Sequence, residues 1–277
     1  MPAPPPPPPP PPAAGPSRAA ESHRMRDVAE GFGADADRYD RARPRYPAAL
    51  AEAVLSELPG SRILDVGIGT GISSLPFRDA GATMLGVDPD VRMAEVARAR
   101  GFDVDTATFE DWNPQGRRFD GVIAGQTWHW VDPIAGAAKA AAVLHPGGRL
   151  AVFWNAGDPP TDLAAAFAEV YRSVETGLPF TPWTAPQRDG YAAFLDRAEA
   201  GVREAGGFGR PQRLRFDWET TISRDAFLEQ VPTAGGHDRI APENLAKLLA
   251  GLADAIESAG GTFTMRYATL ALVSPLT

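Results

Sequence analysis

The stretch Ile63-Leu64-Asp65-Val66-Gly67-Ile68-Gly69-Thr70-Gly71 constrains this chain more than any other part of it. A short apolar run ends in an acidic residue and then in glycines at alternate positions. The run has the length and composition of a buried strand. Glycines so spaced build a tight turn in which backbone approaches a ligand closely. Ile72 to Ala80 is predicted to be a helix, so the turn joins a strand's carboxyl end to a helix's amino end. In open α/β sheets ligands bind at that place.

The glycine spacing separates two kinds of nucleotide loop. Dinucleotide-binding folds use Gly-x-Gly-x-x-Gly, with the pyrophosphate on the helix N-terminus. Here the spacing is Gly-x-Gly-x-Gly, with Asp65 two residues ahead of Gly67. That pattern resembles the first motif of class I S-adenosylmethionine-dependent methyltransferases, whose cofactor has no pyrophosphate.

The bulk properties admit either loop. With 277 residues and 44% hydrophobic content, the chain can form one large α/β domain with insertions, or two small ones. No window approaches the roughly 18 uninterrupted apolar residues of a membrane span. A net charge of −8 gives no general case for binding nucleic acid. The 27 basic residues include only two lysines, Lys139 and Lys247, which leaves few candidates for lysine chemistry. The absence of cysteine excludes disulfides and thiolate nucleophiles and suits a cytoplasmic setting. No metal site is expected, and nothing specifies an oligomeric state. Residues 1–20 hold nine consecutive prolines, Pro4 to Pro12, and are expected to be a solvated polyproline tail ahead of one domain over residues 21–277.

Other features extend the resemblance. Val28 to Leu58 is a prelude to the sheet, with a helix opened by Pro47. Phe32, the Ala-x-x-Tyr ending at Tyr39, and Arg43-Pro44-Arg45-Tyr46-Pro47 match the N-terminal signature of small-molecule members of the family. The resemblance implies that this segment covers the cofactor's methionine end, which makes Tyr39 and Arg43 candidates. Thr83 to Asp88 is predicted to be the second strand, and Asp88 lies 17 positions past Gly71. A carboxylate there can accept both hydroxyls of a ribose diol. A helix from Pro89 to Arg100 follows, with Val91 and Met93 as apolar walls for an adenine and Pro89 beside Asp88.

Phe102 to Thr106 is the expected third strand, and the resemblance puts Phe109 and Glu110 in the loop over the adenine. Phe119 to Gly125 is the fourth strand; Gly125 and Gln126 end it beside the cofactor. Trp128, His129 and Trp130 follow, a ring-bearing run that is costly to leave in water. Trp128 and Trp130 are expected to wall the substrate pocket. His129 is the histidine placed where a general base would serve, with packing or substrate positioning as its other reading. Ile134 to Leu144 is a helix, and Pro146-Gly147-Gly148 is a turn into a fifth strand.

Beyond Trp154 the predicted elements are helices over Asp162–Glu175, Tyr191–Ala205 and Asn244–Ala259, and strands over Arg213–Ser223 and Thr262–Val273. They fit a Rossmann-like α/β fold: seven strands, mostly parallel, an antiparallel last strand, helices on both faces and a partial helical lid. Lid insertions are expected at about residues 156–212 and 224–260, with Trp183, Arg188, Tyr191 and His237 as candidates. The resemblance, nearest to trans-aconitate methyltransferase-like enzymes, implies S-adenosylmethionine as cofactor and methyl transfer to an oxygen or nitrogen of a small molecule, with no nucleic acid or membrane partner. A nicotinamide oxidoreductase and a non-catalytic scaffold of the same fold are the alternatives.

Overall fold

The computed structural model describes residues 31–277, apart from the side chains of residues 188 and 189. The proline-rich segment, the beginning of the prelude at Val28 and the Arg188 side chain lie outside the described residues. Elements occur in the order α1 (Ala36–Ala42), α2 (Ala48–Leu55), β1 (Arg62–Val66), α3 (Leu75–Asp79), β2 (Thr83–Asp88), α4 (Val91–Ala99), β3 (Asp103–Thr106) and β4 (Phe119–Gly125). They continue as α5 (Pro133–Val143), β5 (Leu144–Asp158), α6 (Thr161–Ser173), α7 (Gln187–Ala205), β6 (Gln212–Ser223), α8 (Arg224–Gln230), α9 (Pro242–Ser258) and β7 (Thr262–Pro275).

The strands form one sheet in the order β3-β2-β1-β4-β5-β7-β6. β1 to β5 pair in parallel, while β7 runs antiparallel to both β5 and β6. From β1 the chain steps outward one way to β2 and β3, then returns to β4 on the other side of β1. The carboxyl ends of β1 and β4 therefore flank the switch point, the crevice in which such sheets bind ligands.

Successive side chains on a strand face opposite sides, so the apolar runs feed two cores. Leu64, Val122, Val152 and Trp154 join Ala137 and Ala140 of α5 and Leu195 and Val202 of α7 on one face. Ile63, Ile123, Ala151 and Phe153 join Leu50 and Val54 of α2 and Phe77 of α3 on the other. A third core lies under α6, α8 and α9, where Phe167, Phe227, Leu248 and Leu252 pack on Phe263, Met265 and Tyr267 of β7.

The first helix after the glycines is shorter than expected, beginning at Leu75 and not at Ile72. Pro76 sets that start. It is tolerated in a first turn but not deeper in a helix, where its missing N–H and its ring break the ladder. The helix expected from Pro89 begins at Val91, because Asp90 caps it by accepting the Arg92 N–H. α7 begins at Gln187, four residues before the expected Tyr191. α8 has no counterpart in the expected elements: its seven residues are too few to show a period.

Candidate active site

The glycine turn leaves β1 with Gly67, Gly69 and Gly71 all at positive φ, at 66°, 57° and 89°. At Gly67 a side chain is doubly excluded, since a Cβ would stand 2.1 Å from Cγ2 of Thr127. Thr127 in turn donates its hydroxyl hydrogen towards the Gly67 and Gly125 carbonyls, at 3.1 and 3.2 Å, tying the turn to the end of β4. Above Gly69 the nearest atom to a notional Cβ is Cε of Met93, at 3.4 Å. The expected neighbour of the loop is therefore beside it, and Met93 is buried.

Two acids occupy the crevice. Asp65 is fully buried; its Oδ2 accepts the hydroxyls of Ser73 and Ser74 at 2.6 and 2.7 Å, while its Oδ1 has no partner. Burial pushes its carboxyl up to about 7 against the pull of the two serines, with the nearby Asp88 adding to the rise. Asp88 accepts the Gly69 N–H on Oδ2 at 2.8 Å and the Asp90 N–H on Oδ1 at 2.9 Å. Its carboxyl is held at about 6, desolvation outweighing both amides. Each Asp88 oxygen keeps a second lone pair, so the carboxylate holds the turn and can still accept further donors.

The other expected residues fall into two groups. Gly125 packs against Phe153, Ser73 and Tyr46, with no room for a side chain, and Gln126 has a φ of 55°, a conformation rare for a side-chain-bearing residue. The Gln126 side-chain amide donates to the Asn155 carbonyl at 3.2 Å and lies 3.5 Å from the Tyr191 hydroxyl. The Tyr39 ring lies tilted at 58° against Phe32, and the Arg43 guanidinium lies over the Tyr39 ring at 5.0 Å. Trp130 is half-buried, 6.4 Å from Phe32.

The second group departs from expectation. Trp128 is 2% exposed and packs in the core against Phe109, itself 4% exposed, so both rings serve the interior. Glu110 accepts the Asp132 N–H on Oε1 at 3.2 Å, at the start of α5. Pro89 and Val91 face solvent, because Asp90 turns the chain outward as it caps α4. His129 lies between Trp130 and Phe194, and its Nδ1 accepts the Trp154 indole N–H at 3.1 Å. That bond puts the ring proton on Nε2. Desolvation, then the charge of Arg197, lowers its pKa to about 3, which leaves a very weak base. Packing is the reading of His129 that this geometry favours.

In the lid region, His237 is buried and its Nε2 lies 2.8 Å from the Tyr171 hydroxyl, while Trp183 packs against Phe167. Tyr46, Ser73, Ser74 and Thr127, which pack or bond about the glycine turn, were not picked out by sequence reasoning. Serines and threonines after a glycine turn are too common to signal anything. Only Tyr46, within the Arg-Pro-x-Tyr-Pro run, had a local marker.

Residues 64–152 match a family model described as a methyltransferase domain. An uncharacterized methyltransferase of Mycobacterium tuberculosis is 37% identical over 137 residues, which cover 48% of this chain and 55% of that protein. The chain thus spans about half the length of the first curated relatives it matches. A demethylmenaquinone methyltransferase of a Mycobacterium species is 31% identical over 169 residues, covering 56% of this chain and 70% of that one. Among solved structures, a candidate type II methyltransferase from Anaeromyxobacter dehalogenans has the same fold, with a TM-score of 0.57 at 24% identity over 83% of this chain and 97% of that one. No described helix is long and apolar enough to cross a membrane. A seven-stranded sheet with this strand order, a three-glycine turn at its switch point and these relatives have one reading in common: the chain belongs to the class I S-adenosylmethionine-dependent methyltransferases.

Proposed function

We propose that this protein transfers the methyl group of S-adenosylmethionine to an oxygen, or a nitrogen, of a small-molecule acceptor. The observation that carries this reading is the carboxyl pair at the switch point, Asp65 with one buried oxygen lacking a partner and Asp88 beside an uncluttered Gly69. Those residues suit a cofactor with a ribose diol and a cationic amino-acid end. When bound, the cofactor supplies a methyl group made electrophilic by its sulfonium.

In this reading Asp88 accepts the ribose hydroxyls, Met93 walls the adenine, and Asp65 accepts a donor through its Oδ1. Gly67, Gly69, Gly71, Gly125 and Gln126 line the approach. The segments at about 156–212 and 224–260 cover the acceptor side and exclude water. Catalysis then rests mainly on alignment of acceptor and methyl group. The relative named for demethylmenaquinone supports a small-molecule acceptor.

Calorimetric titration with S-adenosylhomocysteine and with NAD separates this reading from a nicotinamide enzyme. Micromolar binding of the first, weakened by about tenfold to a hundredfold in Asp88→Ala, is expected from the loss of charge-assisted hydrogen bonds. Binding of NAD alone sinks it. Transfer of radiolabelled methyl to a metabolite extract separates it from a scaffold.

A further inference from the structure

The two edges of the sheet are built differently. β3, at one edge, is four residues long, and its Asp105 is bonded by Trp112 and Arg117. A short, acid-bearing edge is a common defence against pairing with another chain. β6, at the other edge, runs for twelve residues and pairs with β7 at each of them, from Gln212 to Ser223, without a bulge. It holds no proline, glycine or lysine. Among the described residues no strand pairs with its outer side, where alternate residues turn their N–H and C=O groups outward.

The side chains of β6 alternate between its faces. Leu214, Phe216 and Trp218 are half-buried on one face and join the cores, while Arg213, Arg215, Asp217 and Glu219 are exposed on the other. Charges alone could serve as edge defence. Their order says more: two cations followed by two anions become their own complement when the strand is reversed. Residues directly opposite in an antiparallel pair both turn their backbone groups inward or both turn them away, so the register can change only in steps of two. With Phe216 on a twofold axis, Arg213 of one copy faces Glu219 of the other, Arg215 faces Asp217, and Leu214 faces Trp218. Moving the axis one residue, to Arg215 or to Asp217, sets that charge opposite its own copy, which is destabilising.

The present partners of these charges leave them available. Arg215 and Asp217 pair with each other along the strand at 2.7 Å, with side chains 52% and 65% exposed. Arg213 pairs with Asp196 and Glu199 of α7, and Glu219 has no ion pair among the described residues. Exposed pairs of this kind contribute little, so redirecting them costs little.

We propose that the outer edge of β6 pairs antiparallel with β6 of a second copy of this chain, Phe216 on the twofold axis, joining two sheets into one. Such an interface is isologous and closes on itself. β6 stands three strands from β4 in the sheet, and the proposal is independent of the methyl-transfer reading.

Analytical ultracentrifugation of the full-length protein tests it. Wild type should be a dimer at micromolar concentration. Arg215→Glu and Asp217→Arg should each raise the dimer Kd on the order of tenfold to a hundredfold, since each sets like charges opposite one another on both sides of the axis. An equimolar mixture of the two variants should recover the dimer. There the acid introduced at 215 faces the base introduced at 217, and the remaining Asp217 and Arg215 face each other. Both positions are exposed, so the far-ultraviolet circular dichroism of each variant should match that of wild type. A monomeric wild type overturns the proposal. Variants that dimerise as wild type does overturn it too, and so do monomeric variants that fail to associate when mixed.

Discussion

Asp65 and Asp88 sit at the carboxyl edge of the sheet with their carboxyls raised from 3.8 to about 7 and about 6. Such acids retain protons in the folded protein that the unfolded chain has lost. Their contribution to stability is complete below the unfolded value and falls as pH rises through the folded one. For fully buried Asp65 the loss is on the order of a few kcal/mol, since each pKa unit is about 1.4 kcal/mol. Without cofactor, the melting temperature of wild type should therefore fall relative to that of Asp65→Asn between about pH 4 and pH 7 and level off above it. Parallel melting curves across that range would refute the assignment. The strain at Gln126 belongs to this scale too, for a side-chain-bearing residue at a φ of 55° is a cost that functional sites commonly carry. His129 shows how a residue's neighbours decide its chemistry. The same imidazole that suits a base in sequence becomes a hydrogen-bond acceptor for Trp154 once α7 lays Phe194 over it.

Among the elements, β7 shows how a strand's register fixes the place of a ring. It enters antiparallel between β5 and β6, and its register sets Tyr267 opposite both Gly157 and Trp218. The Trp218 ring stacks on Tyr267 at 4.2 Å, and a Cβ on Gly157 would stand 2.4 Å from the tyrosine ring. The bare backbone of Gly157 is what lets Tyr267 lie flat against Trp218, with its hydroxyl bonded by Gln230. Gly157→Ala is expected to cost about 1–3 kcal/mol by overpacking and to displace the Tyr267 hydroxyl. Urea unfolding measures the first effect, and the near-ultraviolet circular dichroism of the stacked Trp218–Tyr267 pair the second. Unchanged values of both would remove Gly157 from this account. The short α3 illustrates a different control: Pro76 delays its start, so Ser73 and Ser74 stay in a turn from which both hydroxyls reach Asp65.

Over the whole molecule, two cores lie on the two faces of the sheet that carries the glycine crevice, and a third lies under α6, α8 and α9. Phe167 is fully buried there, stacked on Phe227 at 4.9 Å. Phe167→Ala should cost about 3–5 kcal/mol, read by urea unfolding. The affinity for S-adenosylhomocysteine should change by less than about twofold, since Phe167 shares no contact with the glycine turn or its two acids. A large loss of affinity would show the third core and the cofactor crevice to be coupled. Much of this architecture was legible in the sequence. β2 and β4 have the bounds expected of them, since strands buried on both faces read as unbroken apolar runs. The glycine turn, Asp65 and Asp88 were also legible, because backbone that must take positive φ, and a carboxylate at a strand's end, leave local marks. The sequence by itself therefore determined the fold class and the place of the glycine turn with its two acids. Tertiary structure alone decided that Trp128 and Phe109 belong to the core and that Pro89 faces water. It alone set Tyr191 of α7 beside Gln126 and Tyr267 of β7 against Trp218. The physical reason is separation along the chain: those contacts arise only when β7 and α7 fold back over the sheet, and no local pattern encodes which distant ring will meet which neighbour.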